Sequence, residues 1–223
     1  MSSIEDNDDE LGGSELGTKE FWQKSYSNEI SNYKSHGDVG EVWFDEDSQF
    51  RVITWMFKND IKPESKIIDL GCGNGMMLIE LAREGFTHLT GVDYSELAIE
   101  LSKNIAKDQE IAIDYKVADL LDVECCVSLG LFDIVHDKGT YDAVSLHPDD
   151  PKSKRETYLS NVYNMLQDDG LFIITSCNWT ETELCKAFIN KFVKHSVIPA
   201  PSFKFGGKVG SVVTSVVFKK LNG

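Results

Sequence analysis

The chain alternates between short apolar runs and segments in which apolar residues recur at helical spacing. Apolar runs typical of β-strands lie at about 66–70, 88–92, 111–117, 131–136 and 170–176. Amphipathic segments typical of helices lie between and after them, at about 76–84, 95–107, 152–167 and 181–191. Strands and helices that take turns along a chain form a parallel sheet covered by helices on both faces. The pattern therefore predicts a doubly wound α/β fold.

The pattern changes near the C-terminus. Two β-rich runs, Val193 to Ile198 and Val212 to Lys219, are joined by a stretch that contains prolines and glycines. Strands without a helix between them pair in an antiparallel manner. We therefore expect a C-terminal antiparallel hairpin that closes the edge of the sheet.

The N-terminal third precedes the first strand of the alternating pattern. Residues 1–15 are acidic and almost free of apolar side chains, which predicts a disordered tail. Residues 16–60 are rich in aromatic side chains and lead into Ile53 and Met56 at helical spacing. We interpret this segment as a helical appendage that contributes a lid, and residues 61–223 as the main domain.

Composition and charge narrow the class of protein. The chain has 223 residues, 41% of them hydrophobic, and no apolar run approaches the roughly 20 residues of a membrane helix, so no membrane partner is expected. Its net charge of −15 argues against nucleic acid as the main partner. No acidic residue follows Glu183, whereas seven lysines do, so residues 1–183 carry −22. This asymmetry indicates either an acidic face for a basic partner or, as we favour, a basic hairpin that offsets acidic helices.

Cysteine and histidine usage points to no metal and no disulfide. The five cysteines form no CxxC pair, the five histidines are scattered, and no secretory signal opens the chain. We expect a reducing compartment, the cytoplasm with the nucleus as a further location. A monomer is the default expectation for the oligomeric state.

A glycine-rich turn follows the first predicted strand. Asp69 closes the strand, and Gly71, Gly73 and Gly75 form a turn that runs into a helix. This geometry brings backbone N–H groups and a helix N-terminus against a ligand. The dinucleotide fingerprint would need a third glycine where Met76 stands, and the lysine of a P-loop is missing. Both pyrophosphate-binding interpretations are therefore rejected.

Two more acidic residues stand at successive strand ends. Asp93, followed by Tyr94, comes 24 residues after Asp69, and Asp119 is followed by Leu120 at the end of the third strand. A carboxylate at the second position can accept hydrogen bonds from both hydroxyls of a ribose, and one at the third from an adenine amino group. Each aspartate alone could be a turn or cap residue. Together, the three favour a cofactor site.

This arrangement resembles that of class I S-adenosylmethionine (SAM) methyltransferases. The resemblance implies SAM as cofactor, contacted by the acidic residues, the three glycines, Tyr94 and Leu120. A narrower resemblance rests on four segments: 37–44 (GDVGEVWF), 132–143 (FDIVHDKGTYDA), 175–180 (TSCNWT) and 203–207 (FKFGG). They are similar to the lysine methyltransferases of translation elongation factor 1-alpha, in the branch of the second human enzyme and its yeast counterpart. The match runs from about Leu16 to Lys220 and implies the seven-stranded Rossmann-like sheet with a reversed last strand.

The loop after the fourth strand bears on the substrate. It contains DKGT, whereas methyltransferases of nucleic-acid bases usually resemble [DN]PP[YF] there, so a base substrate is disfavoured. Lysine must react as the neutral amine, which costs about 4 kcal/mol near neutral pH, and an apolar aromatic vestibule lowers that cost. Trp43, Phe44, Tyr141 and Trp179 are candidates for this vestibule. Alternatively, two or three of the four could pack in the core, and for Trp179 both interpretations stay equally open. Asp137 and Tyr141 are predicted to orient the amine.

Three functions stay open at this point. The resemblance implies an enzyme that methylates a lysine of elongation factor 1-alpha. A methyltransferase fold kept as a binding or scaffold protein without turnover is the alternative, and a small-molecule methyltransferase is a third. The intact glycine turn with Asp93 and Asp119 favours an enzyme, because a silent copy has no need of a cofactor-shaped site.

Overall fold

The computed structural model describes residues 11–205 and 208–221, with the backbone alone for 202–205 and 208–211. Within these residues no helix is long and apolar enough to cross a membrane. The same residues contain no group of three or more His, Cys, Asp or Glu side chains arranged to hold a metal ion.

A seven-stranded sheet forms the centre of the protein. In chain order its strands are β1 Lys66–Leu70, β2 His88–Asp93, β3 Asp114–Val117, β4 Phe132–Lys138, β5 Leu166–Ser176, β6 Phe192–Ile198 and, after a short separate hairpin of β7 Ser202–Phe205 with β8 Lys208–Ser211, β9 Thr214–Lys220. Their spatial order is β3-β2-β1-β4-β5-β9-β6. Strand β9 pairs antiparallel with both of its neighbours, and the other pairings are parallel. The predicted Rossmann-like sheet with a reversed last strand is confirmed.

Helices cover both faces of this sheet. They are α1 Lys19–His36, α2 Asp45–Lys58, α3 Met76–Arg83, α4 Glu96–Asp108, α5 Val123–Leu129, α6 Thr140–Ser145, α7 Pro151–Met165 and α8 Glu181–Phe188. Helices α1 to α4 pack on the core that contains Ile67, and α5 to α8 on the core that contains Ile68. Successive strand residues point to opposite faces, so adjacent apolar residues of β1 supply both cores. Helices α5 and α6 were absent from the predicted pattern because they are too short to show a helical period.

The C-terminal antiparallel pair closes one edge of the sheet, as predicted. Strand β9 lies inside the sheet, between β5 and β6, and β6 is the edge strand. Val216 and Val217 of β9 are fully buried, whereas Val193 and Val197 of β6 are 49% and 38% exposed. The more continuously apolar strand therefore takes the inner position, and the strand with polar side chains becomes the edge. Segment 203–207 (FKFGG) is one of the four segments that carry the family resemblance, and its residues 206–207 lie outside the described residues.

The N-terminal region is part of the main core. Ile30 of α1 and Met56 of α2 are buried in the same cluster as Ile67, so the segment 16–60 contributes to this core. The predicted tail boundary at residue 15 lies too late, because the Ser14 N–H donates to the carbonyl oxygen of Leu146 over 2.9 Å. The tail prediction for residues 1–10 falls outside the described residues.

Candidate active site

The glycine-rich turn after β1 has a backbone that requires glycine. Gly71, Gly73 and Gly75 have φ angles of 63°, 54° and 77°, in the left-handed region. A Cβ on Gly71 would lie 2.1 Å from Oγ1 of Thr140, and one on Gly75 would lie 2.3 Å from the hydroxyl of Tyr115. Conformation and crowding thus both exclude a side chain. The turn leads directly into α3 at the carboxyl edge of the sheet, as predicted.

Asp93 lies at the end of β2, against this turn. Its Oδ2 accepts a hydrogen bond from the Gly73 N–H over 3.2 Å, and its Oδ1 accepts one from the Ser95 N–H over 2.8 Å. Burial raises the pKa of Asp93 to about 6, and these two backbone hydrogen bonds oppose the rise. Each carboxylate oxygen still has a second lone pair with which to accept a hydroxyl proton.

Asp69 faces a partner that was not predicted. Its Oδ1 lies 2.6 Å from Nδ1 of His136, which occupies the neighbouring register position on β4. His136 is fully buried, and its Nε2 has no hydrogen-bond partner among the described residues. A buried nitrogen of this kind usually pairs with an ordered water or a ligand group. The sequence could have indicated this position of His136, because alternate residues of a strand share a face and His136 alternates with Ile134 and Lys138 along β4.

The third strand end is more open. Asp119 is exposed, and its Oδ1 accepts a hydrogen bond from the Leu121 N–H over 2.9 Å, which is a turn contact. The Ala118 N–H donates to the carbonyl oxygen of Asp93, so the ends of β2 and β3 are adjacent. Tyr94 is half-buried at this edge. The side chain of Leu120 instead packs in the core on the α7 side of the sheet.

The N-terminal region crosses the carboxyl ends of these strands. The hydroxyl of Tyr94 donates to the carbonyl oxygen of Thr18 over 3.3 Å. The hydroxyl of Tyr26 is 2.7 Å from the position that a Cβ on Gly73 would occupy. The glycine turn is therefore covered by α1.

Trp43 and Phe44 lie at the end of β4. The Phe44 ring would be 3.2 Å from a Cβ on Gly139, which belongs to the DKGT loop. The Trp43 ring packs on Trp22, with the ring centroids 5.1 Å apart. Both side chains are partly exposed. The structure thus brings the two predicted vestibule residues to the DKGT loop, and their contact with substrate stays a prediction.

Asp137 and Tyr141 lie in the protein interior, at the start of α6. The buried Asp137 carboxylate accepts hydrogen bonds from the Thr140 and Tyr141 N–H groups over 2.9 and 3.0 Å, and from the Tyr158 hydroxyl over 2.5 Å. The Tyr141 ring is 1% exposed and packs against Tyr158 and Phe188. Asp137 therefore caps the start of α6, and Tyr141 is a core residue. Orientation of an amine by these two side chains stays a prediction.

Trp179 also belongs to the packing of this face. Its ring lies 5.8 Å from that of Tyr141, and its Nε1–H donates to Oγ of Ser145 over 3.2 Å. The guanidinium of Arg155 lies over the ring, 5.3 Å from its centroid. The packing alternative for Trp179 is the one that the structure supports.

A groove elsewhere on the molecule is not part of this site. It has a volume of about 590 Å³, and its lining includes Lys66, His88 and Asp114. These residues stand at the amino ends of β1, β2 and β3. The glycine turn and the acidic strand ends lie at the opposite edge of the sheet, where parallel α/β folds bind their ligands.

Comparisons with known proteins agree with this geometry. The family model for a methyltransferase domain matches residues 61–207. EEF1A lysine methyltransferase 2 of Danio rerio is 44% identical over 95% of this chain and 91% of its own length. Protein-lysine N-methyltransferase EFM4 of Saccharomyces cerevisiae is 37% identical over 96% of this chain and 98% of its own. The chain belongs to the EEF1A lysine methyltransferase 2 family.

Solved structures confirm the fold of this family member. A SAM-dependent methyltransferase from Anabaena variabilis superposes with a TM-score of 0.65 at 18% identity, covering 90% of this chain and 93% of that one. The N-methyltransferase NodS from Bradyrhizobium japonicum, in complex with S-adenosyl-L-homocysteine, has the same TM-score at 15% identity, covering 90% and 99%. Family and fold together make this protein a SAM-dependent methyltransferase, as the sequence predicted.

The residues of this methyltransferase fit SAM. The glycine turn leads into the N-terminus of α3, and Asp93 at the adjoining strand end would offer its carboxylate oxygens to the ribose. The exposed Asp119 follows the next strand, β3, and would be the acceptor for the adenine amino group. The unpaired Nε2 of His136 adds a buried polar atom beside Asp69.

The buried Asp137 predicts a pH dependence of stability. Burial raises its pKa to about 7. The folded state therefore binds this proton more tightly than the unfolded state, and the free energy of unfolding falls as pH rises from about 4 to 7. Asp137→Asn removes this titrating group, so the slope of the free energy of unfolding against pH should become less steep by up to about 1.4 kcal/mol per pH unit. Urea unfolding of both proteins between pH 5 and 7.5 measures the difference in slope.

Two further variants serve as a comparison and a control for the Asp137→Asn measurement. Glu29→Gln should also flatten the slope, because burial raises the pKa of Glu29 to about 7 as well. Asp168→Asn is the control, since the Asp168 side chain is 90% exposed. A slope that Asp137→Asn leaves unchanged would contradict the buried, proton-binding state of Asp137.

Proposed function

We propose that this protein transfers methyl groups from SAM to the side-chain amine of a lysine in translation elongation factor 1-alpha. The observation that carries the proposal is the extent of the family match. The relative from Danio rerio, named EEF1A lysine methyltransferase 2, aligns over 95% of this chain and not over the cofactor-binding core alone. The match therefore includes most of the N-terminal region that covers the carboxyl edge of the sheet.

The aromatic residues beside the DKGT loop suit a lysine substrate. When bound, SAM supplies an electrophilic methyl group on a sulfonium. The chain has to accept a lysine side chain as its neutral amine, at a cost of about 4 kcal/mol near neutral pH. Trp43 and Phe44 form an apolar, partly exposed surface that removes water from the incoming amine, and their rings can hold an ammonium by cation–π contact.

Positioning supplies the rest of the rate enhancement in this proposal. Asp137 is occupied by three hydrogen bonds at the start of α6, so it does not act as the base. The ammonium loses its proton to water at the vestibule, where the loss of hydration favours the neutral form, and the chain then holds the neutral amine in line with the methyl group. Orientation of this kind can lower a barrier by about 7–11 kcal/mol in favourable cases.

Charge beside the vestibule suits a basic protein surface. Helix α2 starts directly after Phe44 with Asp45, Glu46 and Asp47, all of them exposed. Carboxylates next to the entrance attract a partner with an excess of lysine and arginine and exclude an acidic one. We propose that recognition uses the folded surface of the elongation factor and not a linear peptide, and that nucleic acid is not a substrate.

Labelled SAM tests the substrate directly. The purified protein is incubated with native elongation factor 1-alpha, the same factor after heat denaturation, histones and tRNA. We expect label in the native factor, on a lysine that mass spectrometry of its peptides identifies. The Asp93→Ala variant is the control for transfer by this site.

The other outcomes separate the alternatives. Preferential labelling of histones or tRNA would refute the elongation factor as substrate. Equal labelling of the denatured factor would refute only the use of a folded surface. Binding of SAM and of the native factor without transfer would favour a scaffold protein, and transfer only to small molecules of a lysate would favour the third alternative.

We further propose that the protein acts as a monomer in the cytoplasm, with the nucleus as a second location. The proposed substrate supports this location, because a translation factor works in the cytoplasm. Light scattering at micromolar concentration tests the monomer, and fractionation of cells that express a tagged chain tests the location.

A further inference from the structure

The segment Val39–Phe44, called the strap below, connects α1 to α2 and ends with the two aromatic residues of the proposed vestibule. Its carbonyl oxygens at alternate residues, Val39, Glu41 and Trp43, all accept hydrogen bonds from side chains of the sheet region. The donors are Asn74 and Lys138. The path of the strap is thus set through its backbone, and its side chains remain available for other contacts.

Asn74 stands in the glycine-rich turn, between Gly73 and Gly75. Its Nδ2 donates to the carbonyl oxygens of Val39 and Glu41, both over 3.1 Å. Its Oδ1 accepts a hydrogen bond from the Met76 N–H over 3.2 Å. A side-chain amide has two N–H donors, and both are used on the strap. The residue therefore joins the strap to the start of α3.

Lys138 stands in the DKGT loop, at the end of β4. Its ammonium donates to the carbonyl oxygen of Trp43 over 2.9 Å. Burial lowers the pKa of Lys138, and the carboxylates of Asp69, Asp137 and Asp45 favour its charged form. A desolvated ammonium is costly unless it is paired. The hydrogen bond to the Trp43 carbonyl oxygen therefore offsets part of the cost of burying this charge.

The end of the strap has an unusual backbone. Phe44 and Asp45 have φ angles of 63° and 65°, in the left-handed region that residues with a side chain rarely adopt. Such conformations persist where surrounding contacts hold them, and they concentrate at functional sites. Here the contacts are the Lys138 hydrogen bond to the preceding residue and the packing of the Phe44 ring on Gly139.

We propose that Asn74 and Lys138 are positioning residues that hold the strap closed, so that Trp43 and Phe44 stand over the site of methyl transfer. This inference rests on the proposed function for the role of the vestibule. The two residues act through the strap and not on the substrate. The glycine turn and the DKGT loop thus each contribute one polar side chain to the same segment.

Two variants remove the donors to the strap, and Asn74→Asp also adds a negative charge that repels the carbonyl oxygens of Val39 and Glu41. Lys138→Met keeps the aliphatic stem and removes the ammonium. Asn74→Asp removes both donors to the strap and keeps the oxygen that accepts from the Met76 N–H. Lys138→Arg restores a charged donor. Lys103→Met is the matched control, because it is the same lysine-to-methionine substitution at an exposed position of α4.

Hydrogen exchange measures the strap without reference to any substrate. In Lys138→Met and in Asn74→Asp we expect amide exchange of residues 39–47 to accelerate about tenfold or more, as expected for the loss of a hydrogen bond to a charged or buried group. Lys138→Arg should recover much of the protection. Under the proposed function, kcat for the elongation factor should fall about 10- to 100-fold, while the Kd for SAM changes less than about threefold.

The proposal is overturned if exchange of residues 39–47 is unchanged in both variants. It is also overturned if Lys138→Met weakens SAM binding about 100-fold at normal strap protection, because Lys138 would then be a cofactor ligand. If the elongation factor proves not to be the substrate, the exchange and SAM-binding results still decide whether these residues hold the strap.

Discussion

Replacement of Asp93 by alanine is expected to weaken SAM binding by roughly 30- to 1000-fold. The carboxylate accepts from both ribose hydroxyls in the proposed complex, and each charged hydrogen bond contributes about 1.5–3 kcal/mol with incomplete additivity, which corresponds to about 2–4 kcal/mol in total. Asp93 also accepts from the Gly73 N–H, so its loss loosens the turn beneath the cofactor. Isothermal titration calorimetry with SAM measures the change.

The controls separate cofactor contact from general damage. Asp114→Ala removes an exposed carboxylate from the neighbouring strand and should leave the Kd for SAM unchanged. Circular dichroism should show that Asp93→Ala is folded at the titration temperature. An unaltered affinity in folded Asp93→Ala would mean that another group binds the ribose.

Replacement of both Trp43 and Phe44 by alanine should lower kcat about 100-fold and leave the Kd for SAM within about threefold. The rings provide the apolar surface that dehydrates and orients the amine, and a displacement of about 1 Å at a reacting centre can cost that factor. Single-turnover transfer of labelled methyl groups to the elongation factor measures the effect.

A matched aromatic control is available on α2. Phe50→Ala removes a ring that is 44% exposed and should leave turnover unchanged. Removal of residues 1–10 should also preserve activity. Deletion of residues 1–47 is a weaker test, because it takes the buried Tyr26 and Ile30 out of the core. Full activity of the double variant would exclude Trp43 and Phe44 from the vestibule.

Local patterns were sufficient for most of the fold. The apolar runs of β1, β2, β4 and β5 and the amphipathic segments of the longer helices have periods that depend only on neighbouring residues. The requirement for glycine at Gly71, Gly73 and Gly75 is also local, because positive φ angles at three alternate positions leave few other choices. The cofactor class and the family followed from these elements and from the quoted segments.

The place of the C-terminal strands depended on packing. Antiparallel pairing of β6 with β9 could be predicted, since a hairpin is a local structure. Which of the two strands lies inside the sheet depends on which one buries more apolar surface against β5 and the helices of both faces. That comparison involves residues far apart in the sequence, and it placed β9 inside.

The roles within the DKGT loop depended on strand orientation. Asp137 and Lys138 are consecutive, so their side chains point to opposite faces of β4. The sequence identified this loop as part of the site and favoured the aspartate. The structure directs Asp137 toward Tyr158 of α7 and Lys138 toward Trp43 of the strap.

The sequence by itself therefore determined the sheet, the glycine turn, the acidic strand ends and the family, because each depends on short segments with a characteristic order of residues. Only the tertiary structure decided which polar side chains of those segments face the cofactor edge, pair with each other or hold the strap. The contacts concerned join residues distant in sequence, such as Asn74 with Val39, Asp69 with His136 and Lys138 with Trp43. No local period encodes such pairs, since they form only when helices and strands pack together.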